Sequence, residues 1–135
     1  LHSGLKLTMC GLDVTHQALV TKEVFARLEA LKSDLSKTII GLLTFFAQTY
    51  NDVFEMPDPP LHDPVAIAVL IDPSVVSSRF VNVEVELDGK FTRGATVVDI
   101  YKREERAANA TVALDLDAKK FWDLMIDAIE AAGKS

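Results

Sequence analysis

Pro60-Leu61-His62-Asp63-Pro64-Val65-Ala66-Ile67-Ala68-Val69-Leu70-Ile71-Asp72-Pro73 is the stretch on which the fold turns. It sets an imidazole beside a carboxylate at the entry to a continuous apolar run, Val65 to Ile71. Asp followed by Pro is how many helices begin, with Asp63 as N-cap and Pro64 at the first helical position, where a missing N–H costs nothing. That reading accounts for Asp63 and leaves His62 unexplained. The other reading is chemical. Helix N-termini gather unpaired N–H groups and partial positive charge, which keep a carboxylate ionised, while a neighbouring His exchanges protons near neutral pH. Spacing alone leaves both open. Beyond Asp72-Pro73 the apolar period changes from helical to two, because Val81, Val83, Val85 and Leu87 alternate with Asn82, Glu84, Glu86 and Asp88. A helix followed by a half-buried antiparallel strand places the chain in the α/β class.

Upstream, Leu5 to Val14 suits a buried parallel strand ended by the polar group Thr15-His16-Gln17. Asp13 and His16 then lie near a strand's C-terminal end, the edge at which open α/β sheets bind ligands. The plainer alternative is that Asp13, Thr15 and His16 make turn hydrogen bonds. Thr21 can cap a helix over Lys22 to Leu31, and Ser33 or Asp34 starts a longer one. Leu35, Ile39, Leu42, Leu43, Phe46, Tyr50 and Phe54 fall at helical spacing, so Tyr50 lies on the inward stripe and its hydroxyl needs a partner. Met56 to Leu61, with prolines at 57, 59 and 60, cannot continue that helix. It reads as a loop and as a mobile flap over a site at His62.

Downstream, Asp88-Gly89 is a hairpin turn signal that brings Lys90 to Val98 back beside the alternating strand, with Gly94 allowing a bulge. Lys102 to Asn109 is polar loop. Val112, Leu114 and Leu116 face inward from a further strand. Asp117 caps a final helix with Phe121, Leu124, Met125, Ala128 and Ile129 on its apolar side and Gly133 at its end.

Composition bounds the function. The 135 residues, 49% of them hydrophobic, are one domain's worth with a sizeable core. Net charge is −6, and the 14 basic residues are scattered apart from Lys102-Arg103 to Arg106, which argues against a nucleic-acid groove. Cys10 stands alone, so no internal disulfide forms, as suits a reducing, cytoplasmic setting. No apolar run reaches the ~20 residues that span a bilayer, and no signal peptide is visible. The chain opens at Leu1 and enters a strand-like segment almost at once, which reads as a fragment begun partway through a fold. Three motifs fail on context. Asp115-x-Asp117 is explained by strand alternation plus a helix cap. The Gly133-Lys134-Ser135 ending lacks the helix that a phosphate loop must precede, and Asn109-Ala110-Thr111 fits glycosylation with nothing to indicate secretion.

Leu61-His62-Asp63-Pro64-Val65-Ala66 with Leu70-Ile71-Asp72-Pro73, and Thr8-Met9-Cys10-Gly11-Leu12-Asp13-Val14-Thr15-His16-Gln17 near the start, resemble the C-terminal part of the inosine-uridine-preferring nucleoside hydrolases. Gly94-Ala95-Thr96-Val97-Val98-Asp99, Val112 to Asp117 and Phe121 resemble that family's closing strands and last helix, in the right order. The resemblance implies the C-terminal fragment, residues 1–135, of a single hydrolase domain. Its fold would be part of an open, mostly parallel sheet flanked by helices, with an added antiparallel hairpin. The implied activity is a purine or pyrimidine salvage reaction, calcium-dependent hydrolysis of a ribonucleoside to ribose and base in a homo-oligomer, with no nucleic-acid or membrane partner.

Carried over by the resemblance, Asp63 is a Ca²⁺ ligand, His62 stands beside the leaving base as general acid, Tyr50 contributes to the base pocket, and Phe46 lies one turn earlier. The family's Asp-x-Asp-x-x-x-Asp-Asp motif, which supplies most metal ligands and the catalytic base, does not occur here. The isolated chain is therefore expected to be inactive without that N-terminal portion. The alternatives are a non-enzymatic interaction or dimerisation module derived from the same fold, and an unrelated small-molecule-binding domain with a pocket away from His62.

Overall fold

β5 (Ala110–Leu116) is the strand on which the others are hung. In the computed structural model, which describes residues 1–134, it pairs parallel with β1 (Thr8–Met9) and antiparallel with β2 (Val76–Val81). Ser135, the end of the Gly-Lys-Ser stretch, lies outside the described residues. The order β1-β5-β2 leaves β5 central, which is why Ala110, Val112 and Ala113 are all buried although they point to both faces. One face carries α2 (Lys22–Ala30), α4 (Asp63–Ile71) and α5 (Ala118–Ala132) over a core of Leu28, Val65, Val69, Phe121 and Ile126. The other carries a smaller cluster of Val81, Val83, Ala110 and Val112. The expected α/β arrangement of an open sheet, flanking helices and a separate hairpin is present, and the sheet is mixed.

Helix starts follow from local chemistry. The Thr21 hydroxyl accepts the Val24 N–H, Ser33 accepts that of Ser36 to open α3 (Asp34–Phe54), and Asp117 accepts that of Lys120. Gly133 ends α5 with φ −76°, so no left-handed cap is involved. Glycine is needed there for another reason: a Cβ would come within 2.8 Å of the Ser33 hydroxyl, where the end of α5 meets the start of α3.

Several expectations need correction. The strand at Leu5 to Val14 shrinks to Thr8–Met9, and Leu12–Thr15 forms one helical turn, α1, behind Gly11. An apolar run cannot by itself tell a buried strand from a short strand plus a turn, and Leu12 is 62% exposed. The Gln17 side chain does the work of the missing strand. It donates to the Leu114 carbonyl and accepts the Leu116 N–H, extending the pairing along β5. The expected strand from Val81 is cut to Val83–Val85 by a break at Asn82, and β2 precedes it unforeseen, because Ser77, Ser78 and Arg79 lie exposed on an edge strand and hide the alternation. Asp88-Gly89 is not a two-residue hairpin turn. β3 (Val83–Val85) and β4 (Thr96–Val98) pair across a longer connection, in which the Glu86 carboxylate accepts the N–H groups of both Asp88 and Gly89. Gly94, at φ +90°, and Ala95 together face Glu86, the bulge expected at that glycine.

On α3 the inward stripe holds for Leu43, which is buried, and for the half-buried Ile39, Phe46 and Tyr50. It fails at Leu35, Leu42 and Phe54, which are exposed. On α5, Trp122 and Ile126 take the buried seam and Ala128 is exposed.

Phe121 is fully buried and Phe91 is 90% exposed. Urea unfolding should show Phe121→Ala destabilised by about 3–5 kcal/mol, and Phe91→Ala changed by less than ~0.5 kcal/mol. Comparable effects at both positions would contradict this placement of the core.

Candidate functional site

The loop after α3 is clasped to the segment before α2. Val20 N–H donates to the Pro59 carbonyl at 3.0 Å, Leu61 N–H donates to Ala18 at 2.9 Å, and Leu19 and Pro60 form an antiparallel bridge. Pro59 and Pro60 are buried, so this half of the loop is an anchored strap rather than the expected mobile flap. Trp122 holds the strap's partner from below, its indole N–H donating to the Leu19 carbonyl at 3.1 Å. The strap delivers His62 to one place.

There the imidazole is gripped on both sides. Its Nδ1 lies 2.8 Å from the Thr15 hydroxyl and its Nε2 lies 2.9 Å from the Tyr50 hydroxyl. The His16 ring stands edge-on to it at 5.3 Å between centroids. Tyr50 sits in an aromatic ladder along α3, 4.7 Å from Phe46 and 5.0 Å from Phe54. These residues are one helical turn apart, so the ladder is a direct consequence of the spacing. The structure thus brings together His62, Tyr50 and Phe46 from the sequence-derived set. It adds Thr15, read from sequence only as a turn residue. Asp13 joins no such network; its backbone carbonyl accepts from Gln17.

Asp63 departs from the capping expectation. α4 begins with Asp63 itself as its first residue and His62 as N-cap, and no side chain caps the helix. The Asp63 carboxylate is exposed and caps no helix N–H, so capping does not explain it. Among the described residues, no three His, Cys, Asp or Glu side chains converge. A calcium ion takes about six to eight oxygens, so the described residues do not by themselves make a site for one.

Burial, then the neighbouring His16, push the His62 imidazole below its ordinary pKa, with Asp63 acting weakly the other way. A His depressed on folding binds more protons unfolded than folded between the two values, so stability present above ~6.5 is lost as pH falls toward the lowered folded value. Thermal melts between about pH 7.5 and 5 should show Tm falling with pH, and His62→Gln should flatten that slope. An unchanged slope in the variant would contradict it.

The model of the inosine-uridine preferring nucleoside hydrolases matches residues 1–123. A probable ribonucleoside hydrolase of Dictyostelium discoideum is 38% identical over 134 residues, 95% of this chain and 39% of that protein. A pyrimidine-specific ribonucleoside hydrolase of Shewanella woodyi is 40% identical over 129 residues, 95% of this chain and 41% of that protein. The fold superposes on a purine-preferring ribonucleoside hydrolase from Gardnerella vaginalis with TM-score 0.82 at 30% identity, over 98% of this chain and 42% of that one. The chain therefore spans about two fifths of the length of the relatives it matches. With a family model covering residues 1–123 and a matching fold, the chain belongs to the inosine-uridine preferring nucleoside hydrolase family.

Proposed function

We propose that this chain is the leaving-group side of a ribonucleoside N-ribohydrolase site, working as the C-terminal portion of a longer calcium-dependent enzyme. The observation that carries the reading is a His held between two hydroxyls, one of them part of an aromatic ladder, with an exposed carboxylate next to it in sequence.

Hydrolysis of a ribosyl C–N bond passes through an oxocarbenium-like transition state, and the departing base leaves more readily as it gains a proton. The flat base suits the faces of Phe46 and Tyr50, which are preorganised by their mutual contact. His62, next to Tyr50, is the group placed to move a proton toward that base. Asp63 follows His62 directly at the start of α4, so base and ribose ends of a nucleoside would be served by adjacent residues. When bound, a Ca²⁺ ion supplies an activated water and a grip on the ribose hydroxyls. Asp63 is the residue of this chain that would help hold it. The relatives include a pyrimidine-specific and a purine-preferring enzyme, so the class proposed here is the ribonucleoside rather than a particular base.

The 135-residue chain alone should show no nucleoside hydrolysis and only weak calcium binding, since one carboxylate cannot replace about six to eight oxygens. Calorimetric titration giving micromolar affinity for this chain would contradict that.

In the complete enzyme, Asp63→Ala should abolish calcium-dependent turnover of every nucleoside. His62→Ala should leave calcium affinity intact and cut turnover by roughly 10²–10⁴-fold, while sparing a p-nitrophenyl riboside, whose leaving group needs no proton. If both variants bind calcium and turn over as the parent does, the enzymatic reading fails and a non-enzymatic interaction module of the same fold takes its place.

A further inference from the structure

The two hydroxyls that grip His62 are not equivalent. Thr15 is 4% exposed, and among the described residues His62 Nδ1 is the hydrogen-bond partner of its hydroxyl. Tyr50 is only half-buried. A neutral imidazole carries a single N–H, so one ring nitrogen donates and the other accepts. Were the proton on Nδ1, Thr15 would accept it, and the threonine's own proton would be left buried with nothing to receive it, at the full desolvation penalty. With the proton on Nε2, Thr15 donates to Nδ1 and Nε2–H donates to the Tyr50 oxygen. The proton left over is then that of Tyr50, on the half-exposed side, where water receives it. This second arrangement leaves no buried donor unpaired.

We propose that Thr15 is a positioning residue whose buried hydroxyl donates to His62 Nδ1 and holds the ring in the Nε2–H tautomer, its proton directed to Tyr50. The support behind Thr15 is rigid. It closes the single turn of α1, and Gln17 ties that turn to β5 through the carbonyls of Asp13 and Leu114 and the N–H of Leu116. The tautomer lock stands on geometry alone. Its consequence for catalysis rests on the nucleosidase reading: the ring nitrogen toward the base-binding ladder is always the one that carries a proton, and no fraction of the enzyme waits in the wrong tautomer.

Long-range ¹H–¹⁵N correlation spectra of the 135-residue chain at about pH 8, where imidazole is neutral, read the tautomer without any need for activity. The expected result is a pyridine-type Nδ1 and a pyrrole-type Nε2. Thr15→Val keeps the shape and removes the donor, so Nδ1 should move toward the shift of an unbonded nitrogen and the tautomers should mix; Thr15→Ser should restore the parent spectrum. A pyrrole-type Nδ1 in the unaltered chain, or a Thr15→Val spectrum with both nitrogens unmoved, overturns the inference. Should Thr15→Val fail to fold, the unaltered chain's spectrum decides alone. In the complete enzyme Thr15→Val should lower kcat with KM kept, and Thr15→Ser should recover it. An intact lock with kcat unchanged by Thr15→Val would refute the catalytic consequence while leaving the tautomer assignment standing, so the two failures are told apart.

Discussion

The clasp between Ala18–Val20 and Pro59–Leu61 is the constraint on which the rest of the site depends. Two backbone hydrogen bonds and a pair of buried prolines join segments about forty residues apart, and the strap lies directly before His62. Closing so long a loop costs conformational entropy, but the cost grows only slowly with length. It is met where the chain is already stiff. Proline at 59 and 60 has little backbone freedom left to lose, and neither residue is called on to donate an N–H: in the clasp Pro59 offers its carbonyl, while Leu61 supplies the N–H. Trp122 then fixes Leu19 from α5, so the strap is referenced to the main core instead of floating above it.

This arrangement explains how a small chain presents a well-defined imidazole. His62 belongs to a helix start whose cap position it occupies without any side-chain cap, so local helix chemistry does not orient its ring. Orientation comes from Thr15 and Tyr50, contributed by α1 and α3. A ring held from two directions by hydrogen bonds of 2.8 and 2.9 Å has lost most of its rotamer freedom.

Legibility divided along physical lines. Features set by residues three or four apart were readable: the caps at Thr21, Ser33 and Asp117, the α3 register that places Phe46, Tyr50 and Phe54 in one ladder, and the bulge at Gly94. Features set by exposure were not. Ser77 to Phe80 show no alternation because they lie exposed on an edge strand, and α4 is apolar all round, with Val65 and Val69 buried while Leu70 and Ile71 are exposed, so no pattern could say which face was inside. The Asp88-Gly89 turn misled for a third reason. A carboxylate two residues upstream captured both N–H groups and diverted the pair from a tight hairpin.

The site shows the same division more sharply. His62 and Asp63 are adjacent in sequence, yet no hydrogen bond links them, and the partners that fix the imidazole are 12 and 47 residues away. Tyr50 could be anticipated because an inward hydroxyl on a helical stripe needs a partner. Thr15 could not, because in a turn rich in Asp, Thr, His and Gln every residue has an ordinary local use, and only the clasp reveals which one is aimed across the fold. A weakness anywhere along Trp122, Leu19, Pro60 and the strap would therefore reach the imidazole as a loss of both hydroxyl contacts together. The ring's geometry is a property of the tertiary structure, and the three residues that share its protons form a unit only while the clasp is shut.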